Sequence, residues 1–120
     1  MKTRVLVVDD DDDLREALCE ALLDEGFEPV GAGDGVQALA ELRDRRADII
    51  LLDLMMPVMN GWDFRAQQNR DPALATIPVV VMTAAANVNR KDELAADAYL
   101  QKPLALRSLF ELLRALQPQQ

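Results

Sequence analysis

Unbroken apolar runs at residues 5–8, 49–52 and 79–82 each stop abruptly at a polar side chain, Asp9, Asp53 and Thr83. Runs without alternation suit strands buried on both faces, as in a parallel sheet covered by helices. Residues 4–8 are therefore the first strand. Leu14, Ala17, Leu18, Ala21 and Leu22 follow at i, i+3, i+4, i+7 and i+8, the stripe of an amphipathic helix, which Gly26 closes. Residues 27–32 read as a poorer second strand, and Gly33-Asp34-Gly35 as a turn and helix start. Val36, Leu39, Ala40 and Ala47 are core candidates of the second helix, with Glu41, Arg43, Asp44, Arg45 and Arg46 as its solvated face. After the central strand, Pro57 and Asn60-Gly61 mark a turn into a third helix over 62–68, and Asp71-Pro72 breaks it. Trp62 and Phe64 are read there as packing residues. Residues 77–82 form a fourth strand. A weak stripe of Val88, Leu94 and Ala95 predicts a helix over 84–95, and residues 98–101 a short fifth strand. Leu106, Leu109, Phe110 and Leu113 stripe a last helix, and residues 117–120 are a polar tail or the start of a linker.

Five strands alternating with five helices predict an α/β fold, a doubly wound parallel sheet of the flavodoxin-like order 2-1-3-4-5. The 120 residues fit one domain, 1–120. In such a sheet the carboxyl ends of all strands share one edge, so Asp9 and Asp10, Asp53, Thr83 and Lys102 converge. An aspartate ending a strand is, taken alone, more often a cap or turn former than a reactive group. The order of strands changes that reading, because it makes strands one and three neighbours at the topological switch point, with the acids about 5 Å apart. Thr83 is then one strand spacing from Asp53 and Lys102 two, roughly 10 Å, within a lysine's reach.

Charge and composition narrow the chemistry. With 21 acidic and 13 basic residues the net charge is −8, which repels a polyanion and argues against direct nucleic-acid binding. No histidine is present, so the usual general base and zinc ligand are missing, and the single Cys19 can form no internal disulfide. No apolar run has the length of a membrane span and the N-terminus has no signal-peptide pattern, which together predict a cytoplasmic protein. Of the five consecutive aspartates, Asp11 or Asp12 is expected to cap the first helix, and Asp11 to Asp13 to be solvated. Two carboxylates about 4 Å apart, as Asp9 and Asp10 would be near the strand end, repel by roughly 4 kcal/mol at an effective dielectric near 20. A hard divalent cation such as Mg²⁺ would relieve this, and the loop lacks the spaced ligands of a calcium loop. The sequence has no glycine-rich nucleotide loop, so a phosphoryl group delivered to Asp53 must come from another molecule.

These segments resemble the receiver domain of two-component response regulators, the chemotaxis-type single-domain regulators included. Val7-Val8-Asp9-Asp10 resembles the metal-binding acid pair of that family, and residues 52–61 its phosphoacceptor segment. Met82-Thr83-Ala84 is similar to its switch-hydroxyl motif, and residues 98–103 to its switch-aromatic and lysine motif. The resemblance runs from Val5 to about Leu116. It implies that Asp53 takes a phosphoryl group from a sensor histidine kinase or a histidine phosphotransfer protein. It further implies that Asp10, Asp53 and the backbone carbonyl of Met55 hold Mg²⁺ with help from Asp9, and that Lys102 pairs with Asp53. Thr83 and Tyr99 would be the moving switch residues, the Lys102-Pro103 bond would be cis, and output would pass to an unknown target through residues 86–116. The chain is expected to be no enzyme beyond its own phosphorylation and slow dephosphorylation. It is expected to be monomeric, with dimerisation on phosphorylation left open.

Ala95 stands where many members have glycine, and Leu104 where phenylalanine is frequent. Met55 and Ala85, two residues after Asp53 and Thr83, offer no group to orient an attacking water, which implies slow loss of the phosphoryl group. Two rival readings remain at this stage. One is an aspartyl-phosphate phosphatase or phosphotransferase, which would commonly have a second aspartate where Met55 stands. The other is a receiver-like scaffold that takes no phosphate.

Overall fold

A computed structural model of the chain describes residues 2–56, 58–84 and 95–118. Five parallel strands form one sheet in the order β2-β1-β3-β4-β5, where β1 is Arg4–Val8, β2 Glu28–Ala32, β3 Ile49–Asp53, β4 Val79–Thr83 and β5 Ala98–Gln101. The expected strand order is thus the observed one. Among the described residues there are four helices, not five: α1 Asp12–Asp24, α2 Gly35–Asp44, α3 Gly61–Arg70 and α4 Leu106–Leu116. The helix expected over 84–95 falls on residues 85–94, outside the described residues. No helix of the described residues is long and apolar enough to cross a membrane.

Alternation along the central strands explains why their apolar runs are unbroken. Leu6, Val8, Ile50, Leu52, Val79 and Val81 point into one core with Ala38, Leu39, Leu42 and Phe64 of α2 and α3. Val5, Val7, Ile49, Leu51, Val80 and Met82 point into a second core with Leu18 and Leu22 of α1 and Leu109 and Leu113 of α4. Each face of the sheet is covered, so neither parity of side chain is left for water.

Side-chain caps start three of the helices. Asp11 accepts from the Leu14 N–H at 3.1 Å, Asp34 from Gln37 at 2.8 Å and Asn60 from Asp63 at 2.9 Å. Gly26, at φ +92°, ends α1 with the Phe27 N–H bonded back to the Leu22 carbonyl at 3.0 Å, a left-handed C-terminal motif that buries Phe27. The stripe expected in α2 is displaced: Gly35, Ala38, Leu39 and Leu42 are buried, while Val36 and Ala40 face solvent. The helix begins at Gly35, and counting three and four from there skips Val36 and Ala40. Ala47 is buried, but it precedes β3 and lies outside the helix.

Candidate functional site

The register of the sheet brings the strand ends level. Val8 pairs with Leu52, so the next residues, Asp9 and Asp53, leave β1 and β3 side by side; Asp53 is opposite Met82, one residue before Thr83. Asp9 is fully buried, its N–H donating to the Ala32 carbonyl at 3.1 Å and its Oδ1 accepting from the Asp11 N–H at 2.9 Å. Asp53 is 5% exposed and Asp10 is exposed. Each of these three acids offers one oxygen within 4.8 Å of the others.

Lys102 reaches this cluster from the far end of β5. Its Nζ lies 3.0 Å from Asp9 Oδ2 and 3.5 Å from Asp53 Oδ1. The sequence pointed to a pair with Asp53; the ammonium makes that pair and a second one with Asp9, to which it lies closer. The Lys102 N–H also donates to the Thr83 carbonyl at 2.8 Å, which ties the ends of β4 and β5 together. Thr83 is buried, and the Lys102-Pro103 peptide is cis. The Met55 N–H donates to Asp53 Oδ1 at 3.4 Å, while the Met55 side chain is 70% exposed on the rim. Tyr99 lies on β5 three residues before Lys102, opposite Val81, half-buried against the core of α2 and α3. It is on the fold's path to the site rather than in the acid cluster.

Burial and crowding set the electrostatics. Loss of solvation pushes the Asp53 carboxyl up from 3.8 to about 6, the Asp9 and Asp10 charges push it the same way, and Lys102 and the Met55 N–H pull against them. Burial alone would depress the Lys102 ammonium, but its hydrogen bond to Asp9 and the charges of Asp53 and Asp9 hold it above the usual lysine range. Three carboxylates therefore face one ammonium. An all-oxygen donor set with excess negative charge and an exposed member, Asp10, open to water fits a hard divalent ion such as Mg²⁺, which keeps several waters when bound to protein carboxylates.

Sequence reasoning passed over two arginines. Arg15 of α1 donates to the Asp9 carbonyl at 2.8 Å and to Asp12 Oδ1 at 2.6 Å. The signal for it was Gly31 within β2: a Cβ there would lie 3.1 Å from Arg15 Cδ, so the glycine leaves room for the arginine stem to cross. Arg65 of α3 is buried beside the fully buried Gln68, in a helix of which only Trp62 and Phe64 were read as packing residues.

The sequence matches the response regulator receiver domain family over residues 5–114. It is 40% identical over 115 residues to the DNA-binding response regulator MtrA of Mycobacterium tuberculosis, covering 96% of this chain and 50% of that protein. The chain thus spans about half the length of the curated relatives it matches. Among solved structures, the chemotaxis protein CheY4 of Vibrio cholerae superposes with a TM-score of 0.90 at 30% identity, over 97% of this chain and 99% of that one. The response regulator TrrA of Thermotoga maritima, in complex with Mg²⁺ and BeF, superposes at 0.85 with 31% identity, over 97% and 99% of the two chains. None of this favours the phosphatase or scaffold readings. With its strand order, its acid edge and its match over nearly the whole sequence, the chain belongs to the response regulator receiver domain family, the aspartate-phosphorylated modules of two-component response regulators.

Proposed function

We propose that Asp53 is the phosphoacceptor of a signalling switch and that its phosphoryl donor is a histidine kinase or a histidine phosphotransfer protein. The observation that carries this reading is the placement of Lys102 Nζ at 3.0 Å and 3.5 Å from two buried acids, one of which, Asp53, ends the central strand. A carboxylate oxygen of Asp53 forms a bond to phosphorus as the bond from phosphorus to the donor's imidazole nitrogen breaks, and the electron pair leaves with that nitrogen. Asp9, Asp10, Asp53 and the Met55 carbonyl are the residues that would hold Mg²⁺, which when bound supplies positive charge to the phosphoryl oxygens. Lys102 is then drawn from carboxylate to phosphoryl oxygen, and the Thr83 hydroxyl, at the end of the adjoining strand, donates to another. Charge stabilisation and positioning are most of what phosphoryl transfer asks of a protein, and the sequence has no glycine-rich nucleotide loop to supply the donor.

Tyr99 is the residue that would register the change at Thr83, two positions further along the neighbouring strand pair. Output would pass through the 86–116 face, of which β5 and α4 are among the described residues. Residues 1–120 act as a single receiver domain, with 117–120 as tail or linker start, and the domain itself does not bind nucleic acid: any such activity would belong to other parts of a longer regulator. Incubation with acetyl phosphate and Mg²⁺ followed by intact mass spectrometry tests the reading. One phosphoryl adduct on the wild type and none on Asp53→Asn is the expected result; an adduct that persists in the variant places the acceptor elsewhere.

A further inference from the structure

A buried guanidinium needs an account, because removing an ion from water costs several kcal/mol unless hydrogen bonds replace the lost solvation. Arg65 is 6% exposed on α3, one turn before the fully buried Gln68. Its Nη1 donates to Gln68 Oε1 at 2.7 Å, and the Gln68 amide donates in turn to the Leu74 and Ile77 carbonyls at 2.9 and 3.2 Å. The pair is therefore fixed to the loop that enters β4. The other end of the guanidinium reaches across to the segment entering β5, where Nη2 donates to the Ala95 carbonyl at 3.0 Å.

The next atom along from that carbonyl carbon is the Ala96 nitrogen, and its N–H donates to the Tyr99 hydroxyl at 3.3 Å. One peptide group thus has its oxygen held by Arg65 and its N–H held by Tyr99. Ala95 sits at φ +46°, in the left-handed region that alanine disfavours, so the orientation of this peptide is imposed by its partners rather than chosen by the local chain. Asp97 anchors the far side by accepting from the Val79 N–H at 2.8 Å, and its charge also favours the Arg65 cation.

We propose that Arg65 is a positioning residue which, through the Ala95–Ala96 peptide, fixes the resting orientation of the Tyr99 hydroxyl. Helix α3, which begins eight residues after Asp53, thereby holds the tyrosine on β5 in its starting position. The regulatory consequence, that Arg65 sets how readily the switch leaves its resting state, rests on the reading of Tyr99 given above; the clamp itself does not.

The chain has one tyrosine, so biosynthetic 3-fluorotyrosine gives a ¹⁹F spectrum that reports on position 99 alone. Arg65→Met removes every donor. Arg65→Lys keeps the charge but cannot serve Gln68 and Ala95 together, and it preserves a folded protein if the methionine variant does not. In the resting protein both substitutions are expected to move or split the ¹⁹F resonance. The Ala96 amide is expected to exchange about tenfold faster in Arg65→Lys and in Tyr99→Phe, the factor that corresponds to one hydrogen bond of about 1.4 kcal/mol. Amides of β3 should not change. An Arg65→Lys protein with wild-type ¹⁹F resonance and wild-type Ala96 exchange overturns the proposal. Addition of beryllofluoride with Mg²⁺ to the wild type separates the two readings. If the resonance ignores it while Arg65→Lys still shifts the resting spectrum, the clamp stands and Tyr99 is not the switch.

Discussion

Val58 and Gly61 lie three residues apart in the turn that follows β3, and each stands where the other type of residue would be easier to predict. Val58 is β-branched, yet its backbone is at φ +66° and its side chain is 82% exposed, so the strain is not repaid by packing. Val58→Gly is expected to stabilise the protein by about 1 kcal/mol, a rise of roughly 4 °C in a thermal melt; no rise would mean that the turn relaxes without cost. Gly61, by contrast, is required by space. A Cβ there would stand 2.8 Å from Leu54 Cα and 3.1 Å from the Asp53 carbonyl oxygen, and main-chain atoms cannot swing aside as a side chain can. Gly61→Ala should therefore cost about 2 kcal/mol or more in chemical denaturation. It should also slow phosphoryl uptake from acetyl phosphate, since the displaced backbone is that of the acceptor itself. Unchanged uptake in a destabilised variant would show that the strain is absorbed on the α3 side.

At the scale of elements, what could be read from the sequence depended on how one-sided each element is. The central strands are buried on both faces and run apolar up to the polar residue at their carboxyl ends, so their places were legible from apolar runs, although β4 starts at Val79 and not at 77; the edge where Asp9, Asp53, Thr83 and Lys102 gather needed the strand order as well. The cap of α1 was legible for a related reason: a short acceptor before an apolar stripe does one local job, as Asp11 does for the Leu14 N–H at 3.1 Å, and Asp34, read only as part of a turn and helix start, does the same for the Gln37 N–H at 2.8 Å. Asp34→Ala should cost about 1 kcal/mol in a thermal or urea melt while leaving phosphorylation of Asp53 unchanged; a larger loss would mean that Asp34 holds more than its helix. Helix α3 defeated the same logic. Arg65 and Gln68 satisfy each other and three loop carbonyls, so polar residues occupy buried positions at no visible cost in the pattern, and the partners that make this work are up to 30 residues away. Arg15 was hidden likewise, because its partner at the site is the main chain of Asp9, which the type of side chain does not reveal, and Gly31 alone marks its crossing. In α2 Leu39 was read correctly into the core, whereas Val36 and Ala40 were not, since which positions turn inward depends on where the helix starts relative to the sheet.

For the molecule as a whole, the acid edge sets stability against function, and pH exposes the conflict. Asp53 has its carboxyl raised from 3.8 to about 6 by burial and by its acidic neighbours. In that window the folded protein binds the Asp53 proton more tightly than the unfolded chain does. The contribution is therefore fully present below about 3.8 and is lost as pH rises through about 6. A displacement from 3.8 to about 6 corresponds to about 3 kcal/mol, a large part of a small domain's total stability. Other carboxylates titrate over the same range, so the informative quantity is the difference between the wild type and Asp53→Asn, measured by urea denaturation in chelator at several pH values. The two proteins should be nearly equal near pH 4, and the variant should be the more stable by about 3 kcal/mol at pH 7, melting correspondingly higher. Adding Mg²⁺ at neutral pH should then stabilise the wild type by mass action and the variant less, because one of the three carboxylates that would share the ion is gone. If the difference between the two proteins is the same at pH 4 and pH 7, Asp53 is not ionised against its surroundings at this edge, and the negative charge that a cation would relieve is not stored there.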